Sequence, residues 1–227
     1  MRIAIYTAII GGYDTLKEPL MKPKAVDFIC FTDSDITSKH WKVIKVDKGD
    51  LCNTRMARKI KILPHRYLAA YDYSIWHDGN FQMHGDITTL IDDSPMRAFN
   101  HIHCRDGRSC IYDEADAIIA LENDPKIKKR YDDPAIVANQ VWTYVEEGYP
   151  RGNGLIASGI LLRRHNDPLV RETMEAWWHQ VKHASKRDQL SFNYSAWKTG
   201  LQCNLIELDI RNNPYMKITR HDASSGL

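Results

Sequence analysis

The feature that most constrains this chain is the apolar run Ile3–Ile10, closed by Gly11-Gly12. It suits a buried β-strand and is too short to cross a membrane. Two more β-rich runs follow, Val26–Thr32 and Trp41–Val46, each bounded by polar turns. Residues Asn53–Leu63 then read as a helix, with Asn53 as its cap, Met56, Ile60 and Leu63 on one face, and Pro64 as its stop. Tyr73–Trp76 is again β-type and runs into His77-Asp78-Gly79-Asn80. Strands alternating with helices predict a three-layer, Rossmann-like α/β/α fold around a mostly parallel sheet. Ligands of such sheets sit beyond the carboxyl ends of the strands. Gly11-Gly12-Tyr13, Asp33 and Asp78 all fall there.

The second half is less regular. Helices are expected over Asp113–Glu122 and Pro134–Glu147, then a loop from Gly148 to Gly154 and a strand over Leu155–Arg163. Asp167-Pro168 starts another helix, with Leu169, Thr173, Trp177 and Val181 at helical spacing. A last helix is expected from Ser185, in a Ser185-x-x-Asp188 capping box, to about Gly200. With 227 residues and no linker or repeat, the expectation is one domain over residues 1–222 and a flexible tail over 223–227. A formal net charge of +2 gives no global electrostatic case for nucleic acid or a membrane surface. The five cysteines are odd in number, widely spaced and without a C-x-x-C pair, so a reducing, cytoplasmic setting is expected.

The chemistry concentrates in a few places. Asp78-Gly79-Asn80 is a common turn composition. After a central strand it also offers two oxygen ligands to a hard divalent cation, Mn2+ or Mg2+, with a glycine that admits a phosphate. Arg58 and Lys61, three residues apart, can project together toward phosphate or ribose; a solvated basic face is the plainer reading. Tyr13 can stack on a base, and Asp33 can accept from base or ribose. Asp188 has a structural account as a capping residue. With Gln189 it can also bind sugar hydroxyls or deprotonate an acceptor. His101, His103, Cys104 and Cys110 match no zinc spacing, and Arg105, Tyr112 and Glu114 are better read as sugar contacts. His221 can supply an imidazole nitrogen to a metal.

The segments TAIIGGYDTLKEP (Thr7–Pro19), CFTD (Cys30–Asp33), ARKIKILPH (Ala57–His65), YSIWHDGN (Tyr73–Asn80) and KRDQLSF (Lys186–Phe192) together resemble one glycosyltransferase family. It includes the plant mucilage-related and turgor-regulation-defect proteins and bacterial and viral relatives. The resemblance implies a GT-A-type fold, similar in plan to glycogenin-like transferases. It implies Asp78, Asn80 and His221 as metal ligands, with Asn80 in place of the second Asp of the usual D-x-D. It further implies Thr7, Tyr13, Asp33 and Arg58 in the segments that hold the nucleotide, and Asp188-Gln189 where a donor-sugar or catalytic carboxylate stands; Ala8, Lys61, Asp78, Gly79 and Arg105 complete the expected donor side.

The expected activity is metal-dependent transfer of a sugar from a nucleoside-diphosphate donor, uridine-linked, to a glycan hydroxyl. The alternatives are a sugar-phosphate nucleotidyltransferase, which lacks its glycine-rich opening loop here, and a non-catalytic nucleotide- or glycan-binding module.

Overall fold

The computed structural model describes residues 1–126 and 132–219. The main sheet has seven strands in the order β3-β2-β1-β4-β7-β6-β8. They are β1 (Ile3–Ile9), β2 (Val26–Thr32), β3 (Lys42–Lys45), β4 (Tyr73–His77), β6 (Met96–Asn100), β7 (Ile156–Arg163) and β8 (Asn204–Ile206). Only β7 runs against the others, pairing antiparallel with both β4 and β6. The expected mostly parallel α/β sheet is present. The apolar run that opens the chain explains itself in the alternation of β1. Ala4, Tyr6 and Ala8 face one core, Ile3, Ile5 and Ile9 the other, and all are buried.

One face is covered by helices α1 (Asn53–Ile62), α5 (Pro168–His183) and α6 (Phe192–Thr199), whose Met56, Ile60, Trp177 and Phe192 share its core. The opposite core holds Trp41, Ile87 and Ile210 together with the two-stranded sheet of β5 (Phe81–Met83) and β9 (Met216–Ile218). That layer is made of short strands and loops, for which the sequence has no long periodic signal. Helices α3 (Ile111–Asn123) and α4 (Pro134–Glu146) pack on each other, and a tyrosine cluster joins them to β7 and α6. A short α2 (Pro64–Tyr67) follows α1, with Pro64 at its first turn.

Two local expectations change. Asn53 does not cap α1 with its side chain; its Oδ1 accepts from Lys48 Nζ at 2.9 Å instead. The helix expected from Ser185 begins only at Phe192. Ser185 Oγ accepts from Arg187 N and donates to Asp132, which holds residues 185–187 in a turned loop ahead of a 3-10 turn over Asp188–Leu190. Asp167 does cap α5, accepting from Leu169 N and Val170 N. Gly200 ends α6 with φ +82°.

Candidate active site

From β1 the chain builds outward to β2 and β3, whereas β4 begins the other half of the sheet. The crevice between the carboxyl ends of β1 and β4 is therefore a topological switch point. A cleft of about 520 Å³ opens there, within the range that takes a small-molecule ligand. Its walls come from the loop after β1 (Gly11, Tyr13), helix α1 (Asn53, Arg58), the turn after β4 (Asp78–Asn80) and the middle of β7 (Ser158, Gly159). A Cβ on Gly79 would lie 2.6 Å from Ile9 Cδ1 and 3.2 Å from Asp14 Oδ2, so a side chain there would make those two side-chain ends shift.

Two carboxylates and two cations interlock at the base of this cleft. Asp78 Oδ1 accepts from Trp76 Nε1 at 2.9 Å and from Lys61 Nζ at 3.3 Å, with Arg58 NH1 at 3.5 Å. Asp188 places Oδ2 2.6 Å from Lys61 Nζ and 3.0 Å from Ser158 Oγ, and Oδ1 3.1 Å from Arg58 Nε. Lys61 is wholly buried and is fixed from behind. Tyr6 OH and Arg163 NH2 each donate to its carbonyl at 2.8 Å. Burial works against the Asp188 carboxylate, but the Arg58 and Lys61 charges outweigh it and hold its pKa well below the usual range. Burial also pulls the Lys61 ammonium downward, opposed by Asp188 and Asp78. For Arg58 burial acts the same way, yet Asp188 and Asp78 raise it overall. The Asp188 carboxylate is ionised at neutral pH.

The residues singled out in the sequence are distributed unevenly. Ala8, Tyr13, Arg58, Asp78, Gly79, Asn80 and Gln189 line the cleft. Lys61 and Asp188 sit beneath it, buried. Thr7 is enclosed in the sheet, its Oγ1 without a partner. Asp33 is turned to Gly11 N, at 2.9 and 3.1 Å, and shapes the loop after β1. Arg105 is exposed outside the cleft lining. Tyr112 is buried and donates to Tyr149 O, and Glu114 is buried against Arg108. His221 lies outside the described residues.

Comparison with known proteins fits this geometry. A family model described as "TOD1/MUCI70, glycosyltransferase-like domain" matches residues 1–220. The chain belongs to that family. By family it is a glycosyltransferase-like domain. No curated protein matches the chain. Among solved structures, the apo structure of the WbbM bifunctional glycosyltransferase superposes with a TM-score of 0.48 at 7% identity, over 90% of this chain and 38% of that one. The chain thus spans well under half the length of that structure.

Within this glycosyltransferase-like domain, the donor set for a metal ion is small. Asp78 Oδ1 is taken by N–H donors, whereas Oδ2 accepts no hydrogen bond among the described residues and lies toward Gly159. Asn80 lines the same cleft. No group of three or more His, Cys, Asp or Glu side chains able to hold a metal occurs among the described residues. A hard cation takes six or more oxygens. Asp78 and Asn80 could therefore supply only part of such a shell.

Sequence reasoning passed over several cleft residues. Lys186 and Arg187 line it immediately ahead of Asp188, and that basic pair was the available signal. Arg211 lines it too, brought in by the β8–β9 connection with no local signal in the sequence, as does His101 at the end of β6, which the sequence offered only as part of a cluster that matches no zinc spacing.

Proposed function

We propose that the domain transfers a sugar from a uridine diphosphate donor to a glycan hydroxyl, assisted by Mn2+ or Mg2+. The observation that carries this reading is the four-charge cluster of Asp78, Arg58, Lys61 and Asp188 beneath a cleft at the β1–β4 switch point. Tyr13, 45% exposed on the β1 side, offers its ring to the base. Asp78 Oδ2 and the Asn80 amide oxygen would hold the cation, which when bound neutralises charge on the departing diphosphate. Arg58 stands beside it as a fixed donor for developing negative charge.

Asp188 is assigned a positioning role. Both of its oxygens are engaged, and it stays ionised because Arg58 and Lys61 surround it, so it anchors those two cations against Asp78. Gln189, which follows it into the cleft, is the neighbour placed to meet donor-sugar hydroxyls. The five cysteines are free thiols, in keeping with the proposed cytoplasmic setting. No helix among the described residues is long and apolar enough to cross a membrane.

The test is release of UDP from a panel of UDP-sugars with manganese present, with and without a glycan acceptor. Asp78→Ala is expected to reduce turnover by two orders of magnitude or more, roughly the scale of losing a charge-stabilising group. Full metal-dependent turnover in that variant would overturn the assignment. Tight UDP-sugar binding with no turnover by the unaltered protein would point to a binding module.

A further inference from the structure

The cleft continues past the β1–β4 crevice to the end of β6, two strands beyond β4 in the sheet order. At about 4.8 Å per strand this is roughly 10 Å from Asp78, enough for a second sugar to lie beside the donor. The far end is lined by His101, Cys104 and Arg211, and Arg187 joins the lining from the loop ahead of Asp188.

Its polar side chains are hydrogen-bond donors. Arg108 N–H donates to His101 Nδ1 at 3.1 Å. A neutral His101 must then carry its proton on Nε2, which can only donate. Burial lowers His101 below the usual imidazole range and keeps it neutral near pH 7. Guanidinium groups have no acceptor at all. The acids nearby are already committed. Glu114, 2% exposed, lies 2.6 Å from Arg108 Nε and 3.9 Å from Arg187 NH2, one carboxylate between two guanidiniums. The Asp209 carboxylate accepts from the backbone N–H of Arg211 at 2.9 Å.

Arg211 is presented by a braced loop. Asn213 donates to the Ile210 carbonyl at 2.8 Å and accepts from Tyr215 N and Met216 N at 3.0 and 2.9 Å. Ile210 itself is seated against Gly159, where a Cβ would come within 3.2 Å of it. The guanidinium beside it is therefore mounted on a fixed backbone.

A sugar hydroxyl both donates and accepts, and a wall of donors reads it incompletely. A carboxylate or phosphate only accepts, and it carries the charge that a guanidinium fork binds most strongly. We propose that Arg211, Arg187 and the Nε2 edge of His101 bind an anionic group of the acceptor, so that the acceptor is an acidic glycan bearing a carboxylate or a phosphate. This rests on the transferase reading and names the acceptor class for the same cleft.

The test is calorimetry on the whole chain with four oligosaccharides of equal length: a uronic-acid oligomer, its methyl ester, a neutral oligomer and its monophosphate. UDP is titrated separately. At least one acidic probe is expected to bind about tenfold or more tighter than its neutral counterpart, a difference of about 1.4 kcal/mol. Which of the two does so identifies the anion. In Arg211→Gln that preference is expected to fall below about threefold, with UDP binding unchanged. Arg211 is exposed and its fold contact is through backbone, so the replacement leaves the loop in place. Equal binding of acidic and neutral probes, including no binding of either, overturns the acidic-acceptor inference while UDP binding leaves the transferase reading standing. So does a preference that survives in Arg211→Gln. Failure to bind UDP sinks the transferase reading and this inference with it.

Discussion

Lys61 is the residue on which the site turns. Its ammonium meets Asp188 at 2.6 Å, Asp78 at 3.3 Å and Ser158 at 3.3 Å, with no solvent contact. Removing one partner of a buried charge pair leaves the other uncompensated, which costs more than the pair contributes. Lys61→Met is accordingly expected to destabilise the fold by about 3 kcal/mol in urea denaturation, and to reduce donor turnover as Asp78 and Asp188 repel. A loss below about 1 kcal/mol would mean that Arg58 alone holds Asp188. Arg55, on the same helix, has a different task. Its guanidinium donates to Val181 O and Ala184 O and so closes the end of α5. A basic stretch that reads as one surface thus divides into a capping residue and two site residues, a division that depends on which neighbours the helix meets.

At the level of elements, the junction of β1 with α1 sets the shape of the donor side. Gly11 has φ +65°, and a Cβ there would fall 2.0 Å from Asn53 Nδ2. The left-handed conformation and the contact both penalise a side chain. Gly11→Ala is expected to lower stability by about 2 kcal/mol and to weaken UDP binding, since Gly11 N also donates to the Asp33 carboxylate. Thermal melts with and without UDP would check both effects. An alanine variant that melts like the parent would show that the loop relaxes freely. The loop 185–187 is the other element that matters. The capping-box spacing was real, but Ser185 and Lys186 N both engage Asp132 instead. That long-range bond delays the helix and delivers Asp188 to Arg58 and Lys61.

For the molecule as a whole, acid should act through buried histidine before it reaches the carboxylates. His165 is fully buried, its Nε2 bonded to Leu68 O at 2.9 Å and its Nδ1 unpartnered. Burial first, and then the Arg163 and His65 charges, lower its pKa to about 4. The unfolded imidazole titrates near 6.5, so between those values the unfolded chain binds more protons than the folded one. Stability therefore falls as pH drops from about 6.5 toward 4, by roughly 3 kcal/mol from this group alone. His65 and His77 are lowered by burial in the same direction. Asp188 adds a second, more acidic window. Its stabilising contribution is complete above the unfolded carboxyl pKa near 3.9 and is lost as pH falls below it. Denaturation midpoints from pH 7.5 to 4 are expected to slope less for His165→Gln than for the parent; identical slopes would refute the assignment.

The sequence by itself determined what short-range pattern can carry. The double-faced burial of β1, the Asp167 cap of α5, the Gly200 stop and the turn at Asp78 after β4 are each written in adjacent or periodic residues. Those features establish the class of sheet and the edge where a ligand binds. Tertiary structure decided the rest. It set β7 against its neighbours, covered one face with β5 and β9, and joined Lys61 to Asp188 across more than a hundred residues of chain. It also drew Asp33 away to Gly11, buried Thr7, and brought Arg211 to the far end of the cleft. The physical reason is the same in each case. A buried charge or polar atom is placed by whichever partner can satisfy it in the fold, and that partner is named by packing rather than by spacing along the chain.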